Sequence, residues 1–392
     1  MWLIAIDEAG YGPKLGPLVV AASLWRNADA PMEQSVDVPK GPDPFSAVAA
    51  PVMVGSAAAG TRKIRVDDSK QIFRSKSSGK DGGSLRTLHA ITSVAHHACG
   101  RSEATLTERL TTLIPRDFDR LASIPWLASM VDAARLPDAV DNAITPIDDC
   151  QAAIEQWSQS QWKLRDVQAR MVDAEAFNQF CESSGNKSDL LGETSIGLAA
   201  DLIKTLDCDG VNGDDPSTES AVKNSKGEPK NAKSKNAKGG IVAEKEPVQI
   251  FFDRHGGRRY YAGPIQQVLG KTPVEVISET SQQSVYETQY RGRRLRLHFT
   301  VKGDRFVPVA LSSLHAKYLR EVAMSSLNAY FETQLMSAPL QEAADASFKG
   351  GTLIPKFSPT AGYPTDAARF LRLIDPVIER LAIPTLKLVR VR

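Results

Sequence analysis

Residues 4–25 read "IAIDEAGYGPKLGPLVVAASLW". An apolar run from Leu3 to Ile6 delivers two adjacent carboxylates, Asp7 and Glu8. Gly10, Gly12 and Gly16 follow, and a second apolar run extends from Leu18 to Leu24. The connection is too short for a crossover helix, so the spacing predicts strands at 2–7 and 17–25 paired as a hairpin. Two acids at the mouth of a buried strand, with a glycine turn directly behind them, mark this corner as the place to look for chemistry.

Outward from the hairpin, "RKIRVDDSK" (62–70) reads as a third strand ending in polar residues, after a long Pro-, Ala-, Gly- and Ser-rich loop at 27–61. "LRTLHAITSVAHHACG" (85–100) is helical with a glycine C-terminal cap, and the pattern stays mostly helical from 101 to 208. Within it Leu164, Val167, Met171 and Ala174 form one helical stripe. Residues 211–246 are almost devoid of apolar side chains and read as a disordered insertion, because nothing there repays the entropy of ordering. Strands resume in "PVQIFFDRHGG", which ends its apolar run at Asp253, in "PVEVISET" (273–280) and in "LRLHFTVKGD" (295–304), which ends at Asp304. Residues 309–335 form a long helix and 364–383 another. Early antiparallel strands followed by strand–helix alternation predict an α/β fold with a mixed sheet. One catalytic domain is expected over 1–392, with a helical insertion at about 101–180 and a low-complexity one at about 211–246.

Hydrophobic content of 42% and charged content of 24% belong to an ordinary soluble chain, and no run approaches a membrane span. Acids as early as Asp7 and Glu8 also argue against a secretory signal. Cys99, Cys150, Cys181 and Cys208 are scattered without metal-ligand spacing, so free thiols in a reducing cytoplasm are expected. The net charge of +2 hides basic clusters at "RHGGRRYY" (254–261), "RGRRLRLH" (291–298) and the "KLVRVR" end, compatible with a polyanionic partner. No P-loop or Rossmann fingerprint is present, which disfavours a nucleotide cofactor.

Asp7, Glu8, Asp253 and Asp304 each close an apolar or β-branched run. Side chains at strand ends of an open α/β sheet project into the crevice where ligands bind. Converging carboxylates repel one another unless a cation neutralises them, and hard divalent ions with oxygen ligands do this. Two such ions roughly 3.5–4 Å apart activate a water and stabilise the leaving oxygen of a phosphodiester. A single acid of this kind is more often a cap or turn residue; the joint occurrence is what points to phosphoryl transfer.

Five ordered islands resemble the ribonuclease HII family: "DEAGYGPKLGPLVVAAS", "DDSKQIF", "FFDRHGG", "KGDRFVPVALSSLHAKYLRE" and "TAGYPTDAARFL". They cover under half the chain. The resemblance implies a ribonuclease H-like mixed sheet with flanking helices and a C-terminal helical extension. It also implies Mg²⁺ or Mn²⁺ held by Asp7, Glu8, Asp253 and Asp304, and hydrolysis of RNA–DNA hybrids or of the bond 5′ of a ribonucleotide in duplex DNA, leaving 3′-hydroxyl and 5′-phosphate ends. Gly10 and Gly12 would bring backbone amides against a ribonucleotide, Lys70 would contact a phosphate, and Tyr363 would stack on a sugar. Arg254, Lys317 and Arg320 flank the acids and join Tyr11 as nucleic-acid contacts, and a cytoplasmic monomer is expected.

Tyr11 departs from the family's Gly-Arg-Gly turn, exchanging five fixed donors and a permanent charge for one hydroxyl and a ring. Two other readings therefore stand beside the endoribonuclease: a nucleic-acid-binding module with little catalysis, and a structure-directed DNA nuclease. In "RHGGRRYY" the interleaved Arg258, Arg259, Tyr260 and Tyr261 suit phosphate contact and stacking as well as they suit a plain surface turn. Ser312 and Ser313 read as small residues packing the long helix on the sheet, and Trp126, Trp157 and Trp162 as core.

Overall fold

Every residue of the second apolar run is buried, which requires cover on both faces and strands on both sides. The computed structural model supplies both; it describes residues 1–29, 43–55, 60–73, 85–130, 145–183, 185–208, 245–337 and 357–391. The strands are β1 (Trp2–Ala9), β2 (Leu18–Arg26), β3 (Val52–Val54), β4 (Arg62–Ile64), β5 (Lys163–Val172), β6 (Val248–Asp253), β7 (Val274–Glu279), β8 (Gln283–Tyr290) and β9 (Arg293–Thr300). Seven form one mixed sheet in the order β5-β2-β1-β6-β9-β8-β7. β1 pairs antiparallel with β2 and parallel with β6, β6 pairs parallel with β9, and β7–β8–β9 is an antiparallel meander. The mixed α/β sheet expected from the sequence is therefore present, with the hairpin flanked by the edge strand β5 on one side and by β6 on the other.

Alternation along β1 and β2 sends Leu3, Ala5, Val19 and Ala21 to one core and Ile4, Ile6, Val20 and Ala22 to the other. The first core is roofed by the helices Leu85–Ala98 and Val307–Met336, the second by Lys187–Cys208 and Ala262–Leu269. The helix Val307–Met336 runs for 30 residues and is apolar nearly all round, as a helix enclosed by its own protein should be. Its Ser312 Oγ stands 2.8 Å from the Ala5 carbonyl and 3.0 Å from Ser23 Oγ, so a small residue lets the helix lie on the hairpin. Trp126, Trp157 and Trp162 are buried in the same core.

Three strand assignments need correction. The third strand beside the hairpin is β5, not "RKIRVDDSK"; β4 pairs only with β3 in a separate two-stranded sheet. The stripe Leu164–Val167–Met171 belongs to β5 rather than to a helix. Leu24 pairs with Asp166 and Trp25 with Leu164, which leaves Arg165 as the extra residue of a bulge. That bulge stretches a period of two into a spacing of three and mimics a helix. The expected helical insertion at 101–180 thus holds the helices Leu106–Leu113, Phe118–Ala122 and Ile147–Ser158, but an edge strand of the main sheet, β5, interrupts it before the helix Ala174–Ser183 begins. β8 was also missed. Within 27–61 lie β3 and a short helix, Ser46–Ala49. The low-complexity stretch at 211–246 falls, apart from Lys245 and Glu246, outside the described residues. Cys99 and Cys150 are free thiols, and no described helix is long and apolar enough to cross a membrane.

His315 sits fully buried on the long helix, its Nδ1 2.8 Å from the Leu311 carbonyl and its ring stacked 5.9 Å from that of His96. Burial, and then the neighbouring His96, Arg109 and Arg101, push its pKa down to about 3. Above pH ~6.5 the ring is neutral folded or unfolded and contributes no pH dependence. Below that, the unfolded chain takes up a proton that the fold refuses, at a cost of ~1.4 kcal/mol per pH unit. His315→Leu should therefore gain about 2 kcal/mol relative to wild type at pH 5 beyond its effect at pH 8. Urea unfolding at the two pH values measures this; an identical difference at both would discard the assignment.

Candidate active site

Parity along β1 decides where the paired acids face. Asp7 follows Leu3 and Ala5 toward the long helix, and Glu8 follows Ile4 and Ile6 toward the other core. Asp7 is buried; its Oδ1 accepts the Glu8 N–H at 2.7 Å, and its carboxylate accepts from Ser313 on the long helix. Asp253 lies one residue beyond the Ile6–Phe252 pairing of the neighbouring parallel strand, level with Asp7. The third segment arrives as the turn Gly303–Arg305, whose Gly303 N–H donates to Asp253 Oδ1 at 2.7 Å. A Cβ on Gly303 would stand 3.0 Å from the Asp253 Cα, so a larger residue would push the turn, and Asp304 with it, off the strand end.

The acids feel one another. Burial, then Asp253 and Asp304, raise the Asp7 carboxyl to about 7. Glu8 is held well above the ordinary carboxylate range by burial, then by Asp7 and Asp253. Asp253 is raised by burial and by Asp304, and Asp304 by burial and by Asp68. Lys70 acts in the opposite direction on both Asp253 and Asp304. Asp68 caps the turn Ser69–Ile72 by accepting the Lys70 N–H at 2.8 Å, and Ser69 Oγ lies 3.1 Å from Ser313 Oγ. Asp68 and Ser313 join the site: "DDSK" carried the signal for Asp68, whereas Ser313, read as a packing residue, had none beyond its place nearly two turns into the helix after Asp304.

A hard divalent cation fits this donor set, because it would supply the charge that four hard oxygen carriers at one corner lack. Among the described residues no three His, Cys, Asp or Glu side chains are grouped closely enough to hold a metal ion already. The acids are coupled by charge without being gathered at coordination distance. Mg²⁺ is held by one or two carboxylates plus water and substrate phosphate rather than by an all-protein cage, so pairs drawn from these four meet its demand.

No protein-family model matches the chain, and no curated protein matches it in sequence. Among solved structures it is similar to the ribonuclease H2 of Pyrococcus horikoshii, at 13% identity and a TM-score of 0.33, covering 100% of this chain and 92% of that one. It is similar to the RNase HII of Archaeoglobus fulgidus solved with PCNA, at 13% identity and a TM-score of 0.33, covering 100% and 95%. A third is Bst-RNase HIII in complex with Mn²⁺, at 14% identity and a TM-score of 0.30, covering 100% of this chain and 66% of that one. Likenesses this remote decide nothing about the site, whose chemistry rests on its own side chains.

Around the acids the expected nucleic-acid contacts divide. Lys70 is exposed beside Asp253 and Asp304, Gly12 is exposed with open space above its Cα, and Tyr363 is exposed ahead of the helix Pro364–Arg380. Tyr11 is half-buried, with Lys187 Nζ 4.8 Å over its ring. Lys317 is engaged, 2.6 Å from Glu321 and 4.8 Å over the Phe73 ring. Arg254 and Arg320 are corrections. Arg254 is buried and donates to the Ser281 and Thr280 carbonyls, pinning the β7–β8 turn. Arg320 is 3% exposed and donates to the carbonyls of Pro17, Leu15 and Ala361. Gly10, at φ +87°, keeps clear of the Pro17 carbonyl and the Arg320 guanidinium, which a Cβ would meet at 2.6 and 2.8 Å. Its first duty is to that packing.

Proposed function

We propose that this chain is a single catalytic unit of a metal-dependent endoribonuclease, acting on the RNA strand of RNA–DNA hybrids or 5′ of a ribonucleotide in duplex DNA. One observation carries the reading: Asp7, Glu8, Asp253 and Asp304 come from three separate chain segments to one sheet corner, and all four are held above the ordinary carboxylate range there. A fold does not place mutually repelling acids together without a use for them. Mg²⁺ or Mn²⁺, when bound, would activate a water and stabilise the leaving oxygen. Pairs drawn from the four acids would hold it, with Ser313 fixing the Asp7 carboxylate and Gly303 the Asp253 carboxylate. Lys70, on a turn capped by Asp68, would meet a backbone phosphate and position the strand without reading its sequence. Discrimination of RNA from DNA at one position would rest on the 2′-hydroxyl.

The test is a DNA duplex carrying one ribonucleotide, incubated with Mg²⁺ or Mn²⁺ beside an all-DNA control. Cleavage of the first alone, abolished by EDTA, is the expected result. Cleavage of both makes the protein a DNA nuclease, and binding without cleavage makes it a nucleic-acid-binding module.

A further inference from the structure

The turn that follows Asp253 is tied down by hydrogen bonds, but two of its side chains are left outside that network. Tyr261 is fully buried, its N–H donating to Tyr286 Oη at 3.0 Å, and the Arg259 carbonyl accepts from Ser284 Oγ at 2.7 Å. Yet Tyr260 is 65% exposed, and the exposed Arg259 guanidinium makes no ion pair or hydrogen bond among the described residues. Both border a cleft of about 620 Å³, lined also by Tyr11, Asn186, Ser188 and Arg258. Asp189, which acts on Tyr11, is paired with Arg258, and Lys187 Nζ lies 4.8 Å over the Tyr11 ring. The cleft therefore carries the guanidinium of Arg259 and the rings of Tyr11 and Tyr260, with Glu8 of the candidate site acting on Tyr11 at its inner end. It also adjoins the candidate active site, since Tyr11 stands three residues after Glu8 and Gly257 four after Asp253.

We propose that this cleft binds an unpaired nucleotide flanking the bond to be cleaved, its base stacked on Tyr260 and its phosphate met by Arg259. An aromatic face accepts any base, and stacking requires one that is not already stacked within a duplex, so the ligand is a single-stranded extension beside the hybrid. A guanidinium carries a permanent charge and a planar fork that matches a phosphate bidentately, so less entropy is lost per hydrogen bond formed than with an ammonium. The substrate class that follows is a hybrid or ribonucleotide-bearing duplex with a single-stranded flank. The proposal rests on the hydrolase reading for what the neighbouring acids do, and its test does not.

Affinity is measured in EDTA by fluorescence anisotropy for a blunt hybrid and for the same hybrid with a short single-stranded extension at either end. Wild type should prefer an extended form about tenfold, Tyr260→Ala should erase that preference, and Tyr260→Phe should keep it. Arg259→Ala should lower the salt slope of binding by about one. Equal affinity of wild type for blunt and extended forms, or a preference that survives Tyr260→Ala, overturns the cleft assignment. A preference that disappears in Tyr260→Ala while wild type cleaves nothing with either Mg²⁺ or Mn²⁺ supports the cleft and removes the hydrolase reading. Cleavage by wild type with no such preference does the reverse.

Discussion

Asp7→Asn should lower metal-dependent cleavage on the order of 10³-fold, as loss of a preorganised electrostatic contact to a reacting group does, while raising the melting temperature of the EDTA-treated protein. The two halves have one cause. Asp7 is buried and faces Asp253 and Asp304, and that environment lifts its carboxyl to about 7. Without a cation, ionising it costs the fold free energy that the unfolded chain does not spend. Because the folded value lies above the unfolded one, the cost is absent below pH ~4, grows as pH rises, and is complete above pH ~7. Asparagine keeps the shape and an oxygen that accepts from the Glu8 N–H and from Ser313, and it carries no charge. The variant should gain roughly 2–4 kcal/mol at pH 8 and nothing at pH 4. Activity assays and melting curves in EDTA read the two halves separately. Unchanged turnover would remove Asp7 from the machinery, and a lower melting temperature at pH 8 would mean that the acids do not repel as argued.

The features legible in the sequence were those written in local pattern. The hairpin showed as two apolar runs and a glycine turn, and the acids showed because each terminates such a run. The long helix and the helix Pro364–Arg380 showed as long periodic segments. What failed was set by distant partners. β5 hid because a bulge opposite Leu24 and Trp25 gave its buried residues a helical spacing, and nothing local announces a bulge. β4 looked like a sheet strand because pairing partners are not encoded in a run of residues. The basic residues divided along the same line. Lys70 kept an exposed place beside the acids, whereas Arg254, adjacent to Asp253 in sequence, and Arg320, on the helix after Asp304, point inward to carbonyls of other segments. Charge near a site in sequence says that a cation is available; burial decides which polyvalent acceptor takes it.

Arg320 shows what such an inward cation is for. Its NH1 donates to the Pro17 carbonyl at 2.8 Å, and its NH2 lies 3.2 Å from the Leu15 carbonyl and 3.0 Å from that of Ala361. It thereby ties the glycine turn behind Asp7 and Glu8 to the loop that carries Tyr363. The same join is made by backbone, with Lys14 N–H donating to the Gly362 carbonyl at 2.7 Å, and Gly362 at φ +85° is close enough that a Cβ would strike the Leu15 carbonyl at 2.5 Å. Arg320→Ala would strip two buried carbonyls and the part-buried one of Ala361 of their donor and leave a void the size of the side chain. The expected loss is roughly 4 kcal/mol of stability, near the top of what one substitution does. Arg320→Lys should recover little of it, since one ammonium cannot reproduce a planar fork spanning two segments. Cleavage should fall in both variants with the metal requirement unchanged, because the turn loosens while the four acids remain. Denaturant unfolding reads the first effect and a Mg²⁺ titration the second. If Arg320→Ala keeps full stability while weakening hybrid binding, the guanidinium serves the nucleic acid after all and the clamp is wrong.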